Sequence, residues 1–124
     1  MTYTENRAWN VQIWVGLKEN YKDDCTTLKA LPYVKTHSIK EVERICQKFV
    51  DKEKDCVTVT PTKFIYTGGK EEGAIIGFIQ YPRFQKHSKE ITDRAVKLAE
   101  QLMKELNQCR VTVTTPEWSI MISR

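Results

Sequence analysis

Two stretches of this chain nearly repeat each other, and the repeat limits what the chain can fold into. Cys56-Val57-Thr58-Val59-Thr60-Pro61 is echoed by Val111-Thr112-Val113-Thr114-Thr115-Pro116, with Cys109 two residues upstream. Each copy follows a helical pattern that opens on His-Ser, at His37-Ser38 and again at His87-Ser88. β-Branched residues alternating with threonine read as a strand. The chain is therefore expected to hold two similar helix–strand halves.

The rest of the pattern fills in around them. Val11, Ile13, Val15 and Leu17 alternate through Asn10–Leu17 and predict a first strand with one strongly apolar face. Ser38 and Glu41 form an S-x-x-E capping box. Behind it Ile39, Val42, Ile45, Cys46, Phe49 and Val50 recur at helical spacing. Gly68-Gly69 marks a hairpin turn before Ala74–Tyr81, a strand apolar on both faces. Ser88 is expected to cap a second helix, whose stripe runs from Ile91 to Leu106, and a last strand spans Arg110–Ile122.

Strand, helix, strand, strand, helix, strand leaves few topologies once right-handed crossovers are required. The expectation is an α+β, ferredoxin-like βαββαβ sandwich over residues 1–124, with a four-stranded antiparallel sheet in the order 4-1-3-2 and both helices on one face. Pro61 and Pro116 agree with it, because strands 2 and 4 are the edges of such a sheet and edges tolerate proline. The segment Lys18–Thr36 is long for a bare connection and is expected to form a functional or interface loop.

At 124 residues, 40% hydrophobic and 29% charged, the chain has the composition of one globular domain. Its net charge of +4 permits an anionic partner without requiring one. The spacing of Cys25, Cys46, Cys56 and Cys109 matches no zinc or redox motif, so free thiols in a reducing cytoplasm are expected. No apolar signal core or membrane-length run is present. Nothing in the pattern calls for a metal, a cofactor or a catalytic constellation. The two histidines, His37 and His87, fall at opposite ends of the expected fold.

Two surfaces attract ligand-binding assignments. Alternation is read as placing Trp14, Ile76 and Phe78 on the sheet face away from the helices, an apolar patch that something must cover. A homodimer would cover it. The second surface is the entry to the second helix, where Arg83, Lys86, His87 and Ser88 could hold an anion against free backbone N–H groups.

Ile13-Trp14-Val15-Gly16-Leu17 and Gly77-Phe78-Ile79-Gln80-Tyr81 resemble the paired strand motifs of the RNA-recognition motif. That resemblance implies Trp14 and Phe78 as base-stacking aromatics. The chain departs from the motif at Ala74 and Ile76. More broadly, a first strand ending in W-V-G-L, a Gly-containing turn and a long last helix resemble small ferredoxin-like proteins of phages and mobile elements. Some of those bind host defence components or sequester nucleotide signals.

The reading that follows is a dimeric, non-enzymatic binding protein for a nucleotide-like, phosphate-bearing ligand or a protein partner, with a phage accessory or anti-defence role implied by the resemblance. RNA binding on the open sheet face is the alternative, and a small dimeric ferredoxin-like enzyme is the third.

Overall fold

Alternation in VQIWVG turns Val11, Ile13 and Val15 to one side of β1 (Val11–Gly16), where each is at most 1% exposed. In the computed structural model, which describes residues 1–20, 25 and 35–124, that side carries both helices. α1 (Ile39–Glu53) starts at the capping box, with the Ser38 hydroxyl accepting the Glu41 N–H at 3.2 Å. Val42, Ile45, Cys46 and Phe49 form its buried stripe. It ends at Lys54, which turns left-handed at φ 55° and donates its N–H to the Val50 carbonyl.

β2 (Val57–Tyr66) and β3 (Gly69–Phe78) form a hairpin turning at Gly68, whose φ of +88° suits glycine. α2 (Ser88–Glu105) buries Ile91, Ala95, Leu98, Ala99, Leu102 and Met103. Its N-cap is His87 rather than the expected Ser88; His87 Nδ1 accepts the Lys89 N–H, and Ser88 is the first helical residue. Each aliphatic side chain sealed between the helices and the sheet contributes roughly 1.5–3 kcal/mol.

The last expected strand is two. β4 (Arg110–Thr114) and β5 (Ser119–Ser123) pair antiparallel across a turn at Thr115–Trp118. Thr115 Oγ1 accepts the Trp118 N–H at 2.8 Å, and Pro116 presets the turn's first corner. The open antiparallel sheet thus has five strands in the order β2-β3-β1-β4-β5, not four. Its edges are β2 and β5, so Pro61 sits on an edge as expected while Pro116 lies in a turn.

The phase of β3 also differs from the expectation. Val11 stands opposite Phe78, Ile13 opposite Ile76 and Val15 opposite Ala74. Directly opposed residues share a face. Ile76 and Phe78 therefore point to the helices, at 0% and 2% exposure, and Phe78 meets Phe49 edge-on at 6.2 Å. The stretch AIIGFIQY is apolar on both sides, so alternation alone could not set its phase. Trp14 does face away, half-buried, beside Ile75 and Thr112 on neighbouring strands.

Cys25 and Cys109 form a disulfide, where free thiols were expected; Cys46 and Cys56 are free, the first buried and the second exposed. Apart from its ends and Cys25, the Lys18–Thr36 segment lies outside the described residues.

Candidate functional site

Among the described residues clefts lie at opposite ends of the sheet, and one of about 380 Å3 adjoins the larger at Asp55 and Cys56. The larger, about 440 Å3, is lined by Lys54, Asp55, Cys56, Tyr81, Phe84, Gln85 and Lys86, where α1 leads into β2 and β3 leads towards α2. Its carboxylate and Lys86 are spent on each other, while Lys54 is exposed. The Asp55 carboxylate meets Lys86 Nζ at 3.6 Å and Arg94 Nη1 at 3.3 Å, and accepts the Cys56 N–H at 2.8 Å. Gln80 accepts the Lys86 N–H and donates back to its carbonyl. The Tyr81 hydroxyl lies 3.5 Å from Cys56 Sγ. That hydrogen bond, burial and the nearby Cys56 and Asp55 charges hold Tyr81 above its ordinary pKa of 10, so it stays protonated at neutral pH.

The second cleft, about 260 Å3, opens at the base of the β2–β3 hairpin between Lys18, Thr36, Lys63, Lys70, Glu71 and Glu72. An antiparallel bridge between Lys18 and Thr36 sets two of its walls. Next to it, Gly16 and Gly73 face each other across β1 and β3 on the open side of the sheet. A Cβ on Gly73 would come within 2.2 Å of the Phe64 ring, which lies over it. A Cβ on Gly16 would sit 3.5 Å from Glu71 Oε1 and 3.0 Å from Oε1 of the buried Gln108. Gln108 is fixed there by donating to the carbonyls of Lys18 and Leu106.

The charges in this cleft are mostly unspent. Lys63 and Glu72 pair at 3.8 Å. Among the described residues no ion pair engages Lys18, Lys70 or Glu71. Glu71 lies on the open side of the sheet with Gly16 and Gly73, which Gln108 and the Phe64 ring cover, whereas Lys70, next to it in β3, points to the other side.

Just behind it, His37 is buried between two carboxylates. Nδ1 is 2.6 Å from Glu41 Oε2 and Nε2 is 3.5 Å from Glu19 Oε1. The hydrogen bond from His37 is the main reason the Glu41 carboxyl lies below its ordinary pKa of 4.5. Glu19 also accepts from the Asn107 side chain, which joins the end of β1 to the turn after α2. His87 lies at the other end of the sheet, in the segment following β3. Among the described residues no cluster of three or more His, Cys, Asp or Glu could hold a metal ion, and no helix is long and apolar enough to cross a membrane.

The residues singled out from the sequence fall in three places. Ile76 and Phe78 are in the core. Trp14 stands on the open face with its indole N–H donating to Thr114 Oγ1 at 3.0 Å. Arg83, Lys86, His87 and Ser88 gather at the entry to α2, with the Arg83 guanidinium 5.2 Å from the Phe84 ring centre and Lys86 engaged by Asp55. The expected stacking platform loses Phe78. Lys18, Lys70 and Glu71 were missed, because charges flanking a glycine turn read as hairpin decoration. The signal for them was the pairing of Gly16 with Gly73, which needs the strand register.

An α+β sheet with two helices on one side and a fifth strand beyond β4 defines the class. No protein-family model matches the chain, and no curated protein matches it. Among solved structures it is similar over its full length to a phage SAM lyase in complex with S-methyl-5'-thioadenosine, with a TM-score of 0.75, 15% identity and 95% of that chain covered. A phage SAM lyase in the apo state is similar over 94% of this chain and 89% of its own, with a TM-score of 0.70 and 18% identity. At such identities the likeness establishes the fold. It also corrects the expectation of a non-enzymatic binding protein, since both of these similar structures are of a lyase.

Proposed function

We propose that this chain is a small enzyme that cleaves a sulfonium nucleoside of the S-adenosylmethionine type and releases S-methyl-5'-thioadenosine. The observation that carries the reading is the full-length correspondence with a lyase of that substrate. Forming this product breaks the bond between sulfur and the γ-carbon of the methionine chain. The bond's electron pair stays on sulfur, which becomes a neutral thioether. The γ-carbon is then satisfied from within the departing chain, by its own carboxylate or by loss of a neighbouring proton, so no water is added.

The hairpin cleft is the better place for this chemistry. A sulfonium cation is attracted to a free carboxylate, here Glu71, and to aromatic faces, here Phe64. Neutralising a positive sulfur is helped by exclusion of water. The open face supports association with a second copy: Met121, opposite Thr112 in Trp14's row of the sheet, is 64% exposed, and nearby apolar groups would be covered by it.

The test is incubation of purified protein with S-adenosylmethionine, following S-methyl-5'-thioadenosine by chromatography against the spontaneous rate. We expect enzyme-dependent product with no requirement for added metal. Product at the background rate only would overturn the reading.

A further inference from the structure

We propose that β5 is a self-association edge, which pairs antiparallel with β5 of a second copy about a twofold axis at Met121 and joins two sheets into one. This rests on the association with a second copy read above and adds its edge and register; it does not depend on the lyase activity. The strand's own sequence leads to it. Ser119-Ile120-Met121-Ile122-Ser123 reads the same in both directions. Self-pairing centred on Met121 sets Met121 against Met121, Ile120 against Ile122 and Ser119 against Ser123. Every cross-strand pair then joins identical residue types, and no charge is buried. The backbone phase agrees. The Thr115 N–H donates to the Trp118 carbonyl at 2.8 Å, and the Arg124 N–H to the Cys109 carbonyl at 3.0 Å. Bonded pairs alternate along an antiparallel ladder, so Ile120 and Ile122 turn their backbone groups to β4. Ser119, Met121 and Ser123 turn theirs outward. Among the described residues nothing pairs with that outer edge. The twofold axis thus falls on a residue that can both donate to its counterpart and accept from it.

The two edges of the sheet differ in a way that singles out β5. The other edge, β2, carries Pro61 in its middle and the exposed Lys63, both of which discourage pairing. β5 carries no proline and no charge, and an edge left that way is a template for another strand. Met121, 64% exposed, lies on the open face in one row with Trp14 and Thr112, and pairing continues that row across the axis. On the helix side Ile120 and Ile122, half-buried against the core, are covered further. A peptide of unrelated sequence would gain the backbone bonds but not the matched side chains, so a second copy is the occupant that fits. Twofold pairing consumes the edge and stops at two copies.

The test is the mass of the purified protein by light scattering at micromolar concentration. Wild type should run at twice 14.5 kDa. M121K sets two ammonium groups against each other at the axis and should run at 14.5 kDa, with an unchanged circular dichroism spectrum because the side chain is exposed. T60K, the same kind of change at an exposed position of β2, should stay dimeric. The register is read from cysteine variants under mild oxidation. M121C brings two thiols within the Cα separation that a disulfide spans, about 4.4–6.8 Å, and should give more cross-linked dimer than wild type. S119C places its two copies about 14 Å apart along the paired strands and should not. A monomeric wild type would overturn the proposal and the association with it, leaving the lyase assay to stand on its own. If M121K stays dimeric, if S119C cross-links as well as M121C, or if the protein forms a closed ring of three, the contact lies elsewhere. The association then survives and this edge falls.

Discussion

The two clefts at the ends of the sheet contain similar residues and use them differently. Each has lysines, carboxylates and an aromatic ring. In the larger one Asp55 is 8% exposed and holds Lys86, Arg94 and the Cys56 N–H, so its charges fasten the chain entering β2 to α2. In the smaller one no ion pair engages Lys18, Lys70 or Glu71 among the described residues. A charged group that is already paired mainly contributes to stability, whereas one held in a cleft without a partner is available to a ligand.

The largest effect expected from probing this contrast is at the disulfide. It anchors Cys25 to Cys109, next to Gln108 and the small cleft, and closes a separation of 84 residues. By chain entropy its loss costs about 4.5 kcal/mol. Denaturant unfolding with and without reductant should show a shift of that order. The denatured, unreduced protein should titrate two thiols, and the native protein only the exposed Cys56, because burial pushes the Cys46 thiol up to about 12. Four thiols in the unreduced protein would mean that this end of the sheet has no covalent staple.

Next comes Asp55→Ala, which strands Lys86, takes one acceptor from Arg94 while leaving it the Glu53 carbonyl and Glu90, and removes the acceptor of a backbone N–H. Removing one partner of a buried pair costs about 3–5 kcal/mol, and with both cations 23% exposed here about 2 kcal/mol is expected. A thermal midpoint unchanged by Asp55→Ala would put the larger cleft back among the functional candidates.

A smaller effect is expected from acid. The folded pKa of Glu41 is depressed by His37, and that of Glu53 by Lys97. A depressed carboxylate stabilises the fold above its unfolded pKa, and the contribution is lost as pH falls through the folded value. Stability should therefore decline from about pH 4.5 downward. Glu41→Gln should flatten the slope at the small-cleft end, while Glu53→Gln acts on the link between α1 and α2. If neither variant changes the slope, these contacts do not persist in solution.

Much of the fold was legible because several local signals agreed. Ser38 with Glu41 gave the start of α1, and Gly68 gave the hairpin turn. The alternation of Val11, Ile13 and Val15 gave the inner face of β1. Signals failed where a segment carried no phase of its own. Ala74–Tyr81 is apolar on both sides, so only its pairing with β1 could show that Ile76 and Phe78 are core and Ile75 is not. Pro116 was compatible with an edge strand or a turn, and the Thr115 hydroxyl bonds decided for the turn. The small cleft was hidden for a related reason. Lys18, Lys63 and Lys70 are far apart in sequence, and only the pairing of β1, β2 and β3 brings them to one end of the sheet.

The smallest stability effect, and the sharpest separation of the two clefts, is expected from Glu71→Gln. Glu71 has no ion pair among the described residues and is partly exposed, so the substitution removes no native contact and exchanges one oxygen for an NH2 of similar size. Such a change stays within about 0.5 kcal/mol. Its effect on function should be large by comparison, because among the described residues it is the one carboxylate lining the cleft that no ion pair engages, and a sulfonium group is drawn to such a counter-ion. Product formation from S-adenosylmethionine should fall by at least about tenfold, the worth of one charge-assisted contact. Asp55→Asn should show the reverse: a lowered thermal midpoint with turnover kept at temperatures where the protein stays folded. If Glu71→Gln instead lowers stability as much as Asp55→Asn does, its carboxylate is already spent on a structural partner, and the distinction between the two ends of the sheet collapses.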